Sequence, residues 1–598
     1  MRLIAPLCLS VLLTGCMQQI VRLDIHSYAV PEQARVTHVD LDLDVHFATR
    51  TLEGTATLTV DGKGPLTLDT RDLAILRVQV RSLNTWLDVE YQLGAVDKFL
   101  GQPLAIAMPE DGRQVRVTYR TSPKASALQW LEPAQTAGKK YPMLFTQSES
   151  IHARSWIPLQ DSPGIRVTYQ ARIRTGPELF AIMSADNSKN KARTGDYTFE
   201  MKQPIPAYLI ALAVGDIAYR PLSKRTGVYA EPSIVDAAAR EFADTEKMVQ
   251  AVEGMYGPYR WEQYDIFVGP PSFPIGGMEN PRLTFATPTI LAGDKSLVNL
   301  IAHELAHSWS GNLVTNATWS DFWLNEGFTV YLENRIQERL YGPERAAKER
   351  LIEWEDLKKE MADLPEADEI LHVNLTGRDP DDGFTQVPYI KGAQLLRTIE
   401  QAVGRERFDG FLKDYFASHA FRSITTSDML QYLRARLPEA SHIDLQKWIY
   451  EPGLPAGAPV DESVFATIDQ AALSWAPGTA LNAQGWSTQD WLRLLRRLPT
   501  PLGAEKMKSL DDAHKLTATG NFEILTQWLD MSIRNGYQPG LDRVEWFLTT
   551  VGRQKMVKPI YRALNETGSG KARAQALFAK ARPMYHPLTV TALETLLK

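Results

Sequence analysis

Hydrophobic and polar residues alternate with a period of two along much of the N-terminal part of the chain. Val36-Thr37-His38-Val39-Asp40-Leu41-Asp42-Leu43-Asp44-Val45 and Gln114-Val115-Arg116-Val117-Thr118-Tyr119 are clear runs. Successive side chains of a strand point to opposite faces, so this alternation predicts half-buried strands. Turn-forming clusters, Asp61-Gly62-Lys63-Gly64 and Glu110-Asp111-Gly112, separate the runs as hairpins require. The expected fold of 20–219 is an antiparallel β domain. From about 235 the spacing becomes helical, over 237–256, 295–313, 321–340 and 344–361, which predicts an α-rich centre extending to 450. Pro452, Gly453, Pro455, Gly457 and Pro459 then break the pattern, since proline cannot continue a helix and glycine loosens the backbone. Residues 451–460 read as a linker. Amphipathic stretches at 489–497 and 521–533 belong to a helical C-terminal domain, 461–598, a solenoid-like stack without a fixed repeat period.

Composition narrows the function classes. The chain has 598 residues and 65 Lys and Arg against 71 Asp and Glu, a formal charge of −6, which excludes a basic nucleic-acid binder. With 44% apolar and 23% charged residues it is an ordinary globular chain rather than a disordered one. Its length suggests roughly three or four domains.

The two cysteines bear on the compartment. Arg2, the apolar stretch 3–13 and Leu13-Thr14-Gly15-Cys16 resemble a bacterial lipoprotein signal with its lipobox. The apolar run is about half of the ~20 residues a spanning helix needs, so a transmembrane helix is the weaker reading, and a buried N-terminal strand or helix is weaker again. Residues 1–16 are the expected signal with its lipobox; cleavage before Cys16 would leave that residue lipidated at the mature N-terminus, carry Cys8 away, and leave no thiol for a disulfide. Met17, where an Asp would be expected for inner-membrane retention, favours the periplasmic face of the outer membrane by family habit.

The strongest chemical signal is His303-Glu304-Leu305-Ala306-His307. On a helix of about 3.6 residues per turn the two imidazoles point only ~40° apart, so both can reach one ion. Glu304 flanks them, close enough to touch a metal-bound water. This is the zinc-protease arrangement; the competing reading is a helix face with two solvated or core histidines. Eighteen residues separate His307 from Glu326, in a second helix-like run. Two His and one Glu form a recurrent catalytic zinc set that leaves the fourth position open, although Glu326 alone would read as a solvated carboxylate. Glu333, two turns further, is a candidate to hydrogen-bond a ligating His.

With Gly276-Gly277-Met278-Glu279-Asn280 upstream, these residues resemble the zinc aminopeptidases of the aminopeptidase N family, and most closely their leukotriene A(4) hydrolase/aminopeptidase branch. The closer match lies in Gln203-Pro204-Ile205-Pro206-Ala207-Tyr208, Ser310-Gly311-Asn312-Leu313-Val314-Thr315-Asn316, Trp323-Leu324-Asn325-Glu326-Gly327 and Pro452-Gly453-Leu454-Pro455. It extends more weakly to the C-terminus. The resemblance implies a multidomain α+β fold: the β domain, a thermolysin-like, mostly α catalytic domain at 220–450, and the helical C-terminal domain. It implies one Zn²⁺ on His303, His307 and Glu326, with Glu304 as general base and Tyr389, in Val387-Pro388-Tyr389-Ile390-Lys391-Gly392, as donor to the oxyanion. Glu279 would bind the substrate's α-amino group, with Gly276, Gly277, Met278 and Asn280 lining its approach; Gln147 and Glu149 would add contacts. Glu149 stands where that branch typically has Gln, which strengthens ammonium binding. Asp381 matches an Asp linked to epoxide hydrolysis, but Phe384 replaces the Tyr that follows it, which argues for peptides over lipid epoxides. Arg553 and Lys555 would hold the substrate carboxylate, restricting the enzyme to short peptides.

The expectation is a zinc aminopeptidase acting on short peptides, with a membrane contact through its N-terminal lipid alone and no nucleic-acid partner. No oligomeric state is read from the sequence. The alternatives are a lipid epoxide hydrolase, a non-catalytic anchored binding protein and a neutral endopeptidase.

Overall fold

The computed structural model describes residues 24–598 apart from 188–191, 457, 459, 477–480 and 569. The expected signal 1–16, with Cys16, and part of the expected linker fall outside the described residues.

Ala34–His46 buries about every second side chain, which makes it a central strand of a seven-stranded sheet. The order is Asp196–Pro206, Arg166–Arg174, Ala34–His46, Thr51–Gly62, Gln114–Arg120, Ala74–Ser82, Thr85–Asp88. One pair departs from the antiparallel expectation: Ala34–His46 runs parallel to Arg166–Arg174. A parallel pair needs a long crossover, and the intervening chain supplies it by folding as most of the domain. Three further strands, Leu66–Thr70, Gln102–Ile106 and Tyr91–Leu93, form a small sheet beside it. A four-stranded sheet, Phe180–Met183, Leu212–Gly215, Met143–Thr146 and Leu128–Leu131, leads toward the catalytic centre.

The α-rich centre also holds a sheet, ordered Ala218–Pro221, Thr226–Ala230, Tyr264–Val268, Leu283–Ala286, Gly277–Met278. The middle three strands are buried on both faces, so their sequences are near-continuous apolar runs without alternation. Gly277–Met278 is its antiparallel edge. The helical expectation over 237–256 resolves into Val235–Glu241 and Thr245–Tyr256, and that over 295–313 shortens to Asn299–Ala306. Trp323–Tyr341 and Pro343–Met361 follow.

Helices from Thr488–Arg497 to Pro587–Leu596 form the C-terminal domain, where successive helices pack on their neighbours and second neighbours. Most of its later helices share a second apolar cluster around Val557, Ile560 and Phe547. The domain meets the centre through Thr488–Arg497, where Arg496 pairs with Asp356 and Asp490 with Lys348, and through a loop in which Gly552 and Gln554 donate backbone N–H groups to the carbonyls of Pro271 (2.9 Å) and Pro274 (2.8 Å). A Cβ at Gly552 would lie 2.7 Å from Ser272 Cα, so only glycine permits this approach.

Candidate active site

The helix Asn299–Ala306 presents His303 and, at its end, His307. His307 keeps helical angles (φ −57°, ψ −22°) and donates its N–H to the His303 carbonyl at 3.3 Å, so the expected one-turn spacing survives the early helix end. The chain then turns at Gly311, where φ is +100° and a Cβ would lie 2.8 Å from His307 Nδ1 and 2.2 Å from Asn325 Oδ1. Ser310 Oγ donates to the carbonyls of Leu324 (3.1 Å) and Asn325 (2.9 Å), which ties this turn to the first turn of Trp323–Tyr341 and brings in Glu326.

His303 Nε2 and His307 Nε2 lie 3.2 Å apart, and Glu326 Oε2 lies 3.3 Å from the first and 3.6 Å from the second. Tetrahedral ligands with bonds of ~2.0–2.1 Å stand about 3.3–3.4 Å from one another. The far nitrogens are also committed. His303 Nδ1 lies 2.9 Å from Glu333 Oε2, and His307 Nδ1 lies 3.1 Å from the Ser310 carbonyl and 3.1 Å from Thr329 Oγ1. Acceptors at Nδ1 fix the Nδ1–H tautomer, which turns the Nε2 lone pairs inward. Glu326 Oε2 is buried and has no hydrogen-bond donor. Three lone-pair atoms directed at one point, without a proton between them, fit a divalent cation.

Glu304 packs under the edge strand. A Cβ on Gly277 would lie 2.1 Å from Glu304 Oε1, so glycine there makes room for the carboxylate. Glu304 Oε2 is buried without a partner, and burial pushes the carboxyl well above its ordinary range. Tyr389 sits in a single π-type turn, Val387–Lys391. Its ring stacks on His303 (centroids 6.2 Å apart), its edge meets Phe322, and its hydroxyl donates to Glu326. Gly327, next to Glu326, abuts Gly392, just after the π-type turn: a Cβ on Gly327 would lie 2.8 Å from Gly392 Cα.

Glu149, Glu279 and Glu326 bring carboxylate oxygens within 4.8 Å of one another. Asn325 Nδ2 donates to Glu279 Oε1 at 3.2 Å, and Asn312 Nδ2 holds the Glu279 carbonyl at 2.7 Å. Burial, then the charge of Glu326, pushes Glu279 up to about 7; burial and Glu279 push Glu149 well above its ordinary value. Gln147 Nε2 meets Met278 Sδ at 3.2 Å, while Gln147 Oε1 and Glu149 Oε1 are buried without donors. Asn280, next to Glu279 in the chain, is buried with its Nδ2 unpaired. No Lys or Arg among the described residues forms an ion pair with Glu149, Glu279, Glu304 or Glu326.

Asp381 stands apart from the metal ligands. Its oxygens accept from Ser150 Oγ (2.6 Å) and lie 3.1 Å from His152 Nε2. Against a burial that would raise it, His152 and Ser150 hold this carboxyl below its ordinary value. Phe384 packs on Phe322 and Trp319, at centroid distances of 4.8 and 6.1 Å. Arg553 is buried and lies beside Gly276, whose Cβ would come 3.0 Å from Arg553 Nη2. Glu523 Oε1 accepts from both Arg553 (3.4 Å) and the exposed Lys555 (3.2 Å). The sequence expectation did not single out roles for Asn325, Asn312, Ser310, Thr329, Gly311 and Gly392. Asn325, Asn312, Ser310, Gly311 and Gly392 did lie inside the motifs that carried the resemblance, which was the available signal.

Comparison with known proteins decides the family. The Peptidase M1 N-terminal domain matches residues 35–209, the Peptidase family M1 domain 240–449, and the Leukotriene A4 hydrolase C-terminal domain 486–597. Leukotriene A-4 hydrolase of Xenopus laevis is 38% identical over 95% of this chain and 98% of its own. The chain belongs to peptidase family M1. Leucine aminopeptidase 2 of Yarrowia lipolytica is 37% identical over 93% of this chain and 91% of its own. The solved structure of yeast LTA4 hydrolase in complex with Bestatin superposes with a TM-score of 0.90 at 33% identity, covering 96% of this chain and 97% of that one. The protein is therefore an M1 zinc aminopeptidase of the leukotriene A4 hydrolase/leucine aminopeptidase branch, with the three-domain architecture of that branch. The family implies a zinc site, and the group His303, His307 and Glu326 is consistent with it.

Proposed function

We propose that this M1 enzyme removes the N-terminal residue from short peptides, using one Zn²⁺ held by His303, His307 and Glu326. The observation that carries the proposal is the convergence of three ligand atoms 3.2 to 3.6 Å apart, with both imidazoles turned inward by their outer partners. Zn²⁺ bound there supplies Lewis acidity, lowering the pKa of water to about 7 and polarising the scissile carbonyl.

The remaining steps belong to the chain. Glu304 takes a proton from the attacking water and hands it to the departing amine, a role that its burial and elevated proton affinity favour. The Tyr389 hydroxyl donates to the oxyanion as charge develops there. Glu279 and Glu149 receive the substrate ammonium. Buried carboxylates without a cation are costly, so the charge that relieves them selects a free N-terminus. Gly277 and Met278 form a sheet edge along which a peptide strand would pair, and Gly276 lets Arg553 approach that edge. Arg553, with Lys555 further out, receives the terminal carboxylate of a short peptide. The name leucine aminopeptidase 2 of the fungal relative supports a peptide substrate.

Cys16 is proposed to carry a lipid that tethers the enzyme to a bacterial envelope, at the periplasmic face of the outer membrane. Replacing it by Ser should move the protein from the membrane to the soluble fraction, and a soluble wild type would remove the anchor. The catalytic proposal is tested by metal analysis together with free, N-acetylated and C-amidated tripeptides, with and without chelator. Stoichiometric zinc, fast cleavage of the free tripeptide, slower cleavage of its C-amidated form and almost none of the N-acetylated form is the expected result. Equal cleavage of acetylated peptides would remove the amino anchor, and turnover of a fatty epoxide without peptide cleavage would replace the substrate class.

A further inference from the structure

Nine large hydrophobic side chains are exposed among the described residues, and five of them fall between 76 and 96. They are Leu76 (52% exposed), Leu83 (85%), Leu87 (46%), Tyr91 (39%) and Val96 (74%). All five lie on one edge hairpin of the β domain and on the segment that follows it. Ala74–Ser82 and Thr85–Asp88 form the hairpin at the open edge of the seven-stranded sheet, with Val80 opposite Leu87 and Ser82 opposite Thr85. Leu76 is the bulged residue between Ile75 and Arg77, and Tyr91 Oη lies 3.4 Å from the Ile75 carbonyl. Leu83 occupies the hairpin tip with φ 53°, a left-handed value that glycine or asparagine adopts at least cost. A leucine held there, with most of its surface in water, calls for a contact outside the fold.

Near the start of the described chain, residues 27 and 28 meet the small sheet that follows the hairpin. Ser27 Oγ and Tyr28 N–H donate to Asp69 at 2.6 and 2.7 Å, on the strand Leu66–Thr70. Asp69 is paired with Pro103, and Gly94 N–H donates to the Pro103 carbonyl at 2.9 Å. Two strand spacings, about 10 Å, therefore separate Asp69, which the entering chain contacts, from the loop that carries Val96. Cys16 precedes Asp24 by eight residues, which span at most ~28 Å. A lipid on Cys16 would bring a bilayer within reach of this corner.

We infer that the hairpin corner 74–96 is a membrane-docking surface, which rests its leucines and Tyr91 in the headgroup region of the bilayer that holds the Cys16 lipid. The inference rests on the proposed anchor and adds an orientation to it. Residues 74–98 carry three cations (Arg77, Arg81, Lys98) and three anions (Asp88, Glu90, Asp97), and Asp111, which accepts from Ser82 Oγ and the Leu83 N–H at the tip, adds one more, so the corner is close to neutral in a chain of formal charge −6 and is only weakly repelled by an anionic surface. Leucines around a Tyr suit an interface that is apolar on one side and wet on the other. Edge pairing with a second copy is disfavoured, because Thr85–Asp88 is only four residues long and carries the Arg77–Asp88 ion pair along it.

The test uses the lipidated full-length protein in vesicles of phosphatidylethanolamine and phosphatidylglycerol. Cys8 and Cys16 are the only cysteines, and neither is a free thiol after processing and lipidation, so an introduced cysteine labels uniquely. An environment-sensitive fluorophore is placed by Leu83→Cys and, as control, by Leu473→Cys, at a site 83% exposed in the C-terminal half. The expected result is a blue-shifted emission at 83, quenched by spin-labelled lipid, with 473 reporting water. Leu87→Asp in the same protein should weaken that quenching roughly tenfold in fractional occupancy. Mass analysis of the Cys16 peptide reports the anchor separately. Lipid on Cys16 with a water-like signal at 83 overturns the docking surface and leaves the anchor standing; absence of lipid overturns both.

Discussion

The two ends of the proposed peptide groove are built with opposite charge logic. At the amino end, Glu149, Glu279 and Glu326 crowd together without an ion-paired Lys or Arg, and burial holds Glu279 near 7. At the carboxyl end, Arg553 and Lys555 already share Glu523. An incoming ammonium relieves an unpaired acid cluster, whereas an incoming carboxylate must compete with a resident one. The amino end should therefore decide whether a peptide is cleaved, and the carboxyl end should only grade peptides by length.

The largest effect lies between the ends. Glu304→Gln should lower kcat by roughly 10³-fold with metal content unchanged, measured by steady-state kinetics and metal analysis; if both ends bind but turnover persists, Glu304 is not the base. Glu279→Gln should lower kcat/KM for a free tripeptide by roughly 10²-fold, leaving an N-acetylated peptide at its low rate, so the selectivity ratio collapses. Arg553→Ala should cost about tenfold on tripeptides and nothing on aminoacyl arylamides, which have no carboxylate. Lys555→Ala should cost only about two- to fivefold on tripeptides, since its ammonium is exposed and screened. Glu523→Gln is the sharpest discriminator, because it should raise affinity for tripeptides by a few-fold, roughly the worth of one freed cation. If Lys555→Ala exceeded Glu279→Gln, the asymmetry would be reversed.

Much of the centre was legible in the sequence because covalent spacing dictates it. His303 and His307 stand one turn apart whether or not the helix continues, and the Glu326 motif is local to its own helix. The β domain was legible from its alternation, since most of its long strands have one wet face. The catalytic sheet was not, because strands such as Tyr264–Val268 are wholly buried and carry no period to read. Also unreadable were contacts made across long separations: Asn312 on the Glu279 carbonyl, Arg553 beside Gly276, and Asp381 on His152. Asp381 matched a family segment, yet its bonds to the β domain depend on how two domains meet, which no motif encodes.

Gly327 and Gly392 meet backbone to backbone, with no side chain between them. The helix that carries Glu326 and the turn that carries Tyr389 thus share a hard stop. Neither can shift toward the other, so the spacing between Glu326 and the phenol that donates to it is set by the backbone rather than by side-chain packing.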